Sequence, residues 1–136
     1  MLTPETYLGS ARGERRSHGL PEPLSLNHWA LEGEWTIGRE RVALEQAGGS
    51  IAFRFHARDA HMVLSPGERA PIPFRVLLDG EPPGASAGVD VDEDGKGLLR
   101  YGRMYQLVRA HDDVRERTLE ITFLEAGAEA YSFTFG

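Results

Sequence analysis

Carboxylates stand at alternate positions in Asp90-Val91-Asp92-Glu93-Asp94, and a glycine follows at position 95. That spacing resembles the first half of an EF-hand loop, in which side-chain oxygens converge on calcium. An EF-hand also needs a bidentate glutamate at its twelfth position, and here that position is Tyr101. It needs flanking helices as well, whereas the flanks read as strands. A loop of a β-sandwich could still gather Asp90, Asp92 and Asp94 around calcium. Half a ligand set at the right spacing is common by chance, however, and a solvated acidic turn is the simpler reading. No cofactor is therefore expected.

A second candidate lies just downstream. Tyr101, Arg103, Tyr105 and Arg109 share strand parity, which predicts a mixed aromatic and guanidinium face. Such a face can bind a sugar, a carboxylate or another protein's backbone. Leu107 has the same parity, so the same face could equally turn inward. His56 and His61 are five apart, too far for the close His-x-His pair of cupin metal sites. Asp59 with His61 could form an acid–base pair, but no serine or cysteine nucleophile is framed by glycines. A polar corner is the expectation there. Trp29 and Trp35 share parity with Leu31 and Ile37, so they are expected in the core rather than on a sugar-stacking surface.

Composition narrows the chemistry. The 136 residues carry a formal net charge of -6 and contain no cysteine. An acidic chain has no electrostatic footprint for nucleic acid. Without cysteine there is no disulfide, no thiol nucleophile and no thiol redox cycle within this chain. No apolar run approaches the ~20 residues of a membrane-crossing helix, so direct membrane insertion is not expected. The polar start, Met1 to Thr6, lacks the apolar stretch of a signal peptide, and any export signal is expected upstream.

The elements that must position these residues read as strands. Residues 1–24 are irregular and punctuated by Pro4, Gly9, Gly13, Gly19, Pro21 and Pro23, which predicts a linker arm. Trp29 to Ile37 alternates with a kink at Gly33. Short strands follow at Val42–Leu44, Ile51–Ala57, His61–Leu64 and Phe74–Leu78. Residues 80–97 read as one long loop and Leu98–Arg109 as one long strand. Leu119, Ile121 and Phe123 share a face, as do Tyr131, Phe133 and Phe135. A chain that closes on an aromatic strand predicts a C-terminus locked into the fold, and so a natural stop. Against the irregular start, this predicts the C-terminal domain of something longer. About eight to nine short strands with turns between them argue for an all-β fold, a jelly-roll β-sandwich spanning 25–136.

Several ordered segments resemble a known family: Thr3-Pro4-Glu5-Thr6-Tyr7-Leu8-Gly9, Trp29 to Trp35, Phe53 to Asp59, Leu78-Asp79-Gly80, Arg103 to Arg109 and Phe133 to Gly136. Together they are similar to the domain that follows the thioredoxin-like domain in DipZ-type proteins and related redoxins. The resemblance implies a jelly roll similar to carbohydrate-binding modules. It also implies an upstream thioredoxin-like domain holding the redox cysteines, with a cytochrome c biogenesis-type membrane domain in some relatives, and an extracytoplasmic or periplasmic setting. No catalytic residue of the family transfers to this sequence.

Two functions follow. In the first, this is a non-catalytic accessory domain, docked on the thioredoxin-like domain of the same polypeptide and shaping access to it. Tyr7, Leu8, Arg12, Arg15 and Arg16, more elaborate than a bare linker needs, are the candidate docking residues. In the second, the domain binds a carbohydrate or another extracytoplasmic ligand through Tyr101, Arg103, Tyr105 and Arg109. An independent hydrolase lacks a nucleophile or paired carboxylates at usable spacing.

Overall fold

Two antiparallel-rich sheets face each other across an aromatic interior in the computed structural model, which describes residues 3–9 and 24–136 and the backbone of Arg16 and Ser17. The first sheet runs β10 (Arg103–Arg109), β7 (Asp59–Ser65), β12 (Glu129–Phe135), β5 (Val42–Leu44), β4 (Trp35–Ile37), with β1 (Thr6–Tyr7) also on β12. The second runs β2 (Arg16–Ser17), β3 (Trp29–Glu32), β6 (Ser50–His56), β11 (Glu116–Phe123), β8 (Ile72–Leu78), β9 (Lys96–Leu99). This is the all-β jelly-roll sandwich that the alternation predicts. The described strands number twelve rather than eight or nine, because short pieces of two to four residues complete both sheets. Among the described residues, no helix is long and apolar enough to cross a membrane.

The period-two pattern builds the core. Trp29, Phe53, Phe55, Phe74, Leu119, Ile121, Phe123 and Phe133 are buried, and Trp35, Ile37 and Phe135 pack against them half-buried. Phe53 and Phe133, from opposite sheets, bring their ring centres to 4.6 Å. Trp35 meets Phe123 edge-on at 6.1 Å, while its indole N–H donates to the Glu32 carbonyl.

Four features depart from the simple strand reading. The kink at Gly33 is a change of sheet: β3 pairs with β6 in one sheet and β4 with β5 in the other. Gly33 takes φ +106, a backbone geometry that side-chain-bearing residues rarely adopt. The strand expected at 98–109 is two strands in different sheets, β9 and β10, turned at 100–102. Tyr131 does not share the face of Phe133, because the β12–β7 register shifts between Ala130 and Ser132. That bulge leaves Ala130 and Phe133 inside and sends Tyr131 toward the surface.

The fourth departure concerns the N-terminal arm. The sandwich does not begin at residue 25. β12 is paired with β5 only at Glu129 and Ala130, and β1 takes the next stretch of the same edge, Thr6 opposite Phe133 and Tyr7 opposite Ser132. Leu8 N–H donates to the Tyr131 carbonyl, and the Leu8 side chain is fully buried in the main core. Thr3 is tied at both ends of its reach: its N–H donates to the His56 carbonyl, and its hydroxyl accepts from His56 N–H at 2.7 Å. At the other terminus Gly136 N–H donates to the Asp59 carbonyl, so the first and last described residues meet at the β6–β7 corner.

Candidate functional site

The free edge of β10 organises the site. An unpaired edge strand invites pairing with another chain, and here the loop between β8 and β9 covers it. Ala87 bridges Val108, Gly88 N–H donates to the Leu107 carbonyl and Asp90 N–H to the Gln106 carbonyl. The approach is so close that a Cβ on Gly88 would sit 2.3 Å from the Gln106 carbonyl oxygen, which is why this position is glycine. The loop therefore brings the acidic motif against the strand that carries Arg103 and Tyr105.

Asp90 is the clasp. Its carboxylate accepts from both terminal nitrogens of the Arg103 guanidinium, at 2.9 and 3.2 Å, and also from Gln106 N–H at 2.7 Å. Burial opposes the charged form, but the Arg103 and Gln106 donors together outweigh it and hold the Asp90 carboxyl below the usual carboxylate range. The Arg103 guanidinium lies 3.9 Å from the centre of the Tyr105 ring.

These contacts correct two expectations. Tyr105 is not a binding platform: it is fully buried, its hydroxyl donates to the Tyr101 carbonyl at 2.6 Å and accepts from the N–H groups of Arg100 and Tyr101. It thus staples the 100–102 turn to the core. Arg109 lies at the far end of β10, opposite Asp59, and a register shift between Gln106 and Val108 breaks the shared parity. The acidic motif is likewise engaged in its own loop. Asp90 is bound to Arg103, and Asp92 Oδ1 accepts from the N–H groups of Asp94 and Lys96. Among the described residues, no three His, Asp or Glu side chains cluster as metal ligands.

What remains is a cleft of about 480 Å³ lined by Val89, Asp90, Val91, Asp92, Lys96, Leu98, Arg100, Tyr101 and Arg103. Here the two sequence motifs, the acidic loop and the Tyr101–Arg103 segment, converge. Tyr101 is 69% exposed and offers its ring to solvent. The sequence reading missed Lys96 and Arg100, whose side chains make no hydrogen bond or ion pair with the described residues. Lys96 comes to the cleft at the start of β9, and Arg100 at the turn that follows that strand.

The docking candidates separate. Arg12 and Arg15 lie outside the described residues, and of Arg16 only the backbone pairing with Trp29 is described. Leu8 is corrected: fully buried in its own domain, it has no surface for a neighbour. Tyr7 stays half-exposed, its hydroxyl 2.6 Å from Glu5, beside a second cavity that it lines with Glu40 and Tyr131. The structure also forms one pair that spacing did not reveal: Ser86 Oγ lies 2.7 Å from His111 Nδ1 and accepts from His111 N–H. Ser86 is only 2% exposed, so this pair fixes the loop rather than facing a substrate.

An all-β sandwich with a tied-in N-terminal strand and a cleft at a covered sheet edge defines a β-sandwich module. A family model described as thioredoxin like C-terminal domain matches residues 3–136, and the chain belongs to that family. The chain is similar to Protein DipZ of Mycobacterium bovis (strain ATCC BAA-935 / AF2122/97) and of Mycobacterium tuberculosis (strain CDC 1551 / Oshkosh). Each is 25% identical over 150 residues, covering 99% of this chain and 19% of the relative. The chain thus spans about a fifth of these relatives' length. Among solved structures it is similar to a family two carbohydrate esterase from Clostridium thermocellum in complex with cellohexaose. That match has TM-score 0.60 and 14% identity, covering 79% of this chain and 31% of the esterase. An acetyl xylan esterase from Butyrivibrio proteoclasticus matches with TM-score 0.57 and 10% identity, covering 98% of this chain and 32% of that one. At these identities the likeness shows the fold alone.

Proposed function

We propose that this is a non-catalytic accessory domain that packs on a thioredoxin-like domain preceding it in the same polypeptide, and shapes what reaches that domain's redox site. The observation that carries the reading is the weld of residues 3–9 into the sandwich. A preceding domain would be delivered to the Thr3–His56 corner, where the chain is already bound to the sandwich. Anchoring the entering segment removes those residues from any flexible connection and so limits relative motion. The family description and the length of the DipZ relatives support a larger parent protein. The absence of cysteine assigns any dithiol chemistry to that parent's other parts. Burial of Ser86 argues against a hydrolytic role for its histidine pair.

The test compares the two-domain parent with and without residues 3–136 by thiol-reductase rate over several disulfide substrates, and examines the intact parent by small-angle scattering. Docking predicts one compact particle and an altered substrate range on removal. Independent tumbling with an unchanged rate and range overturns it.

A second reading rests on the cleft. An exposed tyrosine ring set among charged side chains suits a pyranose, whose apolar face stacks while its hydroxyls take hydrogen bonds. The fold likeness to carbohydrate esterases agrees with this reading without carrying it. Its test is chemical-shift mapping of the chain with cello- and xylo-oligosaccharides, which should perturb Tyr101 and its neighbours.

A further inference from the structure

We infer that the Tyr101 cleft takes an acidic sugar, one whose ring carries a carboxylate, rather than a neutral glycan. The inference rests on the reading of this cleft as a ligand site and names its substrate class. Three cations line the cleft, Lys96, Arg100 and Arg103, against two carboxylates, Asp90 and Asp92. The balance is positive in a chain whose net charge is -6. The cavity lined by Arg39 and Arg41 is matched instead by Glu40 and Glu45.

The five charges are not equivalent. Arg103 and Asp90 neutralise each other in a two-pronged contact and are already committed, to each other and to Tyr105 and Gln106. Asp92 spends Oδ1 on the loop's own N–H groups and leaves Oδ2 without a partner among the described residues. Lys96 and Arg100 are engaged through their backbones: Lys96 N–H donates to Asp92 Oδ1 and its carbonyl accepts from Asp92 N–H, and Arg100 N–H donates to the Tyr105 hydroxyl. Their side chains line the same cleft as the exposed Tyr101 ring and make no ion pair with the described residues. A ligand that stacks on the ring and presents a carboxylate to Arg100 and Lys96 would meet charge-assisted donors. Asp92 Oδ2 is left to accept from a sugar hydroxyl. A neutral sugar would use the ring but leave both cations unanswered.

The experiment titrates the 136-residue chain with trigalacturonate and with cellotriose, by calorimetry and by chemical-shift mapping. Trigalacturonate should bind at Tyr101 at least about tenfold more tightly than cellotriose, a difference of about 1.4 kcal/mol. Its affinity should fall as salt rises, while that of cellotriose should not. The double variant Lys96→Gln with Arg100→Gln should erase the preference without lowering the melting temperature, and Tyr101→Ala should weaken both sugars. Equal binding of the two sugars at Tyr101, unaffected by the double variant, overturns the acidic preference while leaving the cleft a sugar site. Shift changes at Tyr101 with neither sugar overturn both.

Discussion

Each end of the sandwich closes with an arginine laid over the core, and the two are held differently. At the end where the chain enters, Arg117 follows the inward parity of Leu119 and Ile121 and is itself buried. Its guanidinium reaches Asp79 at 2.6 Å and Asp112 at 3.2 Å. Around it stand the Arg54–Glu116, Arg115–Asp112 and Arg58–Asp59 pairs. At the other end of β10, roughly 20 Å away by strand length, Arg103 covers Tyr105 with a single carboxylate, and nearly half its side chain is exposed. The lesson is one of solvent. The entering end is a cross-linked lid in which a buried arginine and its neighbours form several ion pairs. The cleft end keeps one closed pair and leaves Lys96 and Arg100 open. A network satisfied internally suits a structural junction, and an unsatisfied one suits a ligand.

The hardest test of the entering end is Leu8→Ala. If residues 3–9 were a linker, this change would cost nothing. As part of the main core it should cost about 2–5 kcal/mol, seen as a large fall in the denaturation midpoint. A midpoint unchanged by Leu8→Ala would return the arm to linker status and remove the support for a fixed domain junction.

Next in size comes the contrast between the two arginines. Arg117→Met removes a buried partner from two carboxylates that are each about one-third exposed and keep a second partner, Asp79 the Thr118 N–H and Asp112 the Arg115 guanidinium, so the cost should be about 1–3 kcal/mol. Arg103→Met should cost less, about 0–1 kcal/mol, because solvent already screens the pair. Equal losses in urea denaturation would erase the distinction drawn between the ends.

Acid should sharpen it. The folded-state pKa of Asp90 is depressed, so its contribution is present above the unfolded value of about 3.9 and is lost as pH falls through the folded value. Asp90→Asn should therefore flatten the acid limb of the stability curve and leave the curve's shape at neutral pH unchanged. Melting temperatures measured from pH 2 to 7 decide this. An acid limb identical in the two proteins would show that the clasp is not charge-driven.

Much of this was legible in the sequence because strand parity is local information. Phe53, Phe55, Leu119, Ile121 and Phe123 declare the core through their neighbours alone. What parity cannot carry is an interruption of its own count. The bulge at Tyr131 and the shift between Gln106 and Val108 each insert a residue, so Tyr131 and Arg109 part from the faces they seemed to share. Nor does sequence reveal long-range satisfaction. Asp90 and Arg103 belong to two separate motifs, one read as a calcium half-loop and the other as a ligand face, yet they bind each other across 13 residues. Leu8 misled for the converse reason: a polar, glycine- and proline-punctuated stretch reads as linker, although it fills the part of the β12 edge beyond β5.

The smallest expected effect is the most specific to the comparison. Tyr101 is exposed, its ring packs on no described aromatic, and only its backbone serves the Tyr105 staple. Tyr101→Ala leaves that backbone in place, so its stability should lie within about 0.5 kcal/mol of the unchanged chain. A large exposed ring that contributes nothing to stability is held at the cleft for some other reason, and stacking on a ligand supplies one. If Tyr101→Ala instead lowers the denaturation midpoint as much as Arg117→Met does, the ring is structural. The cleft end would then be a second closed lid, and the difference between the two ends would vanish.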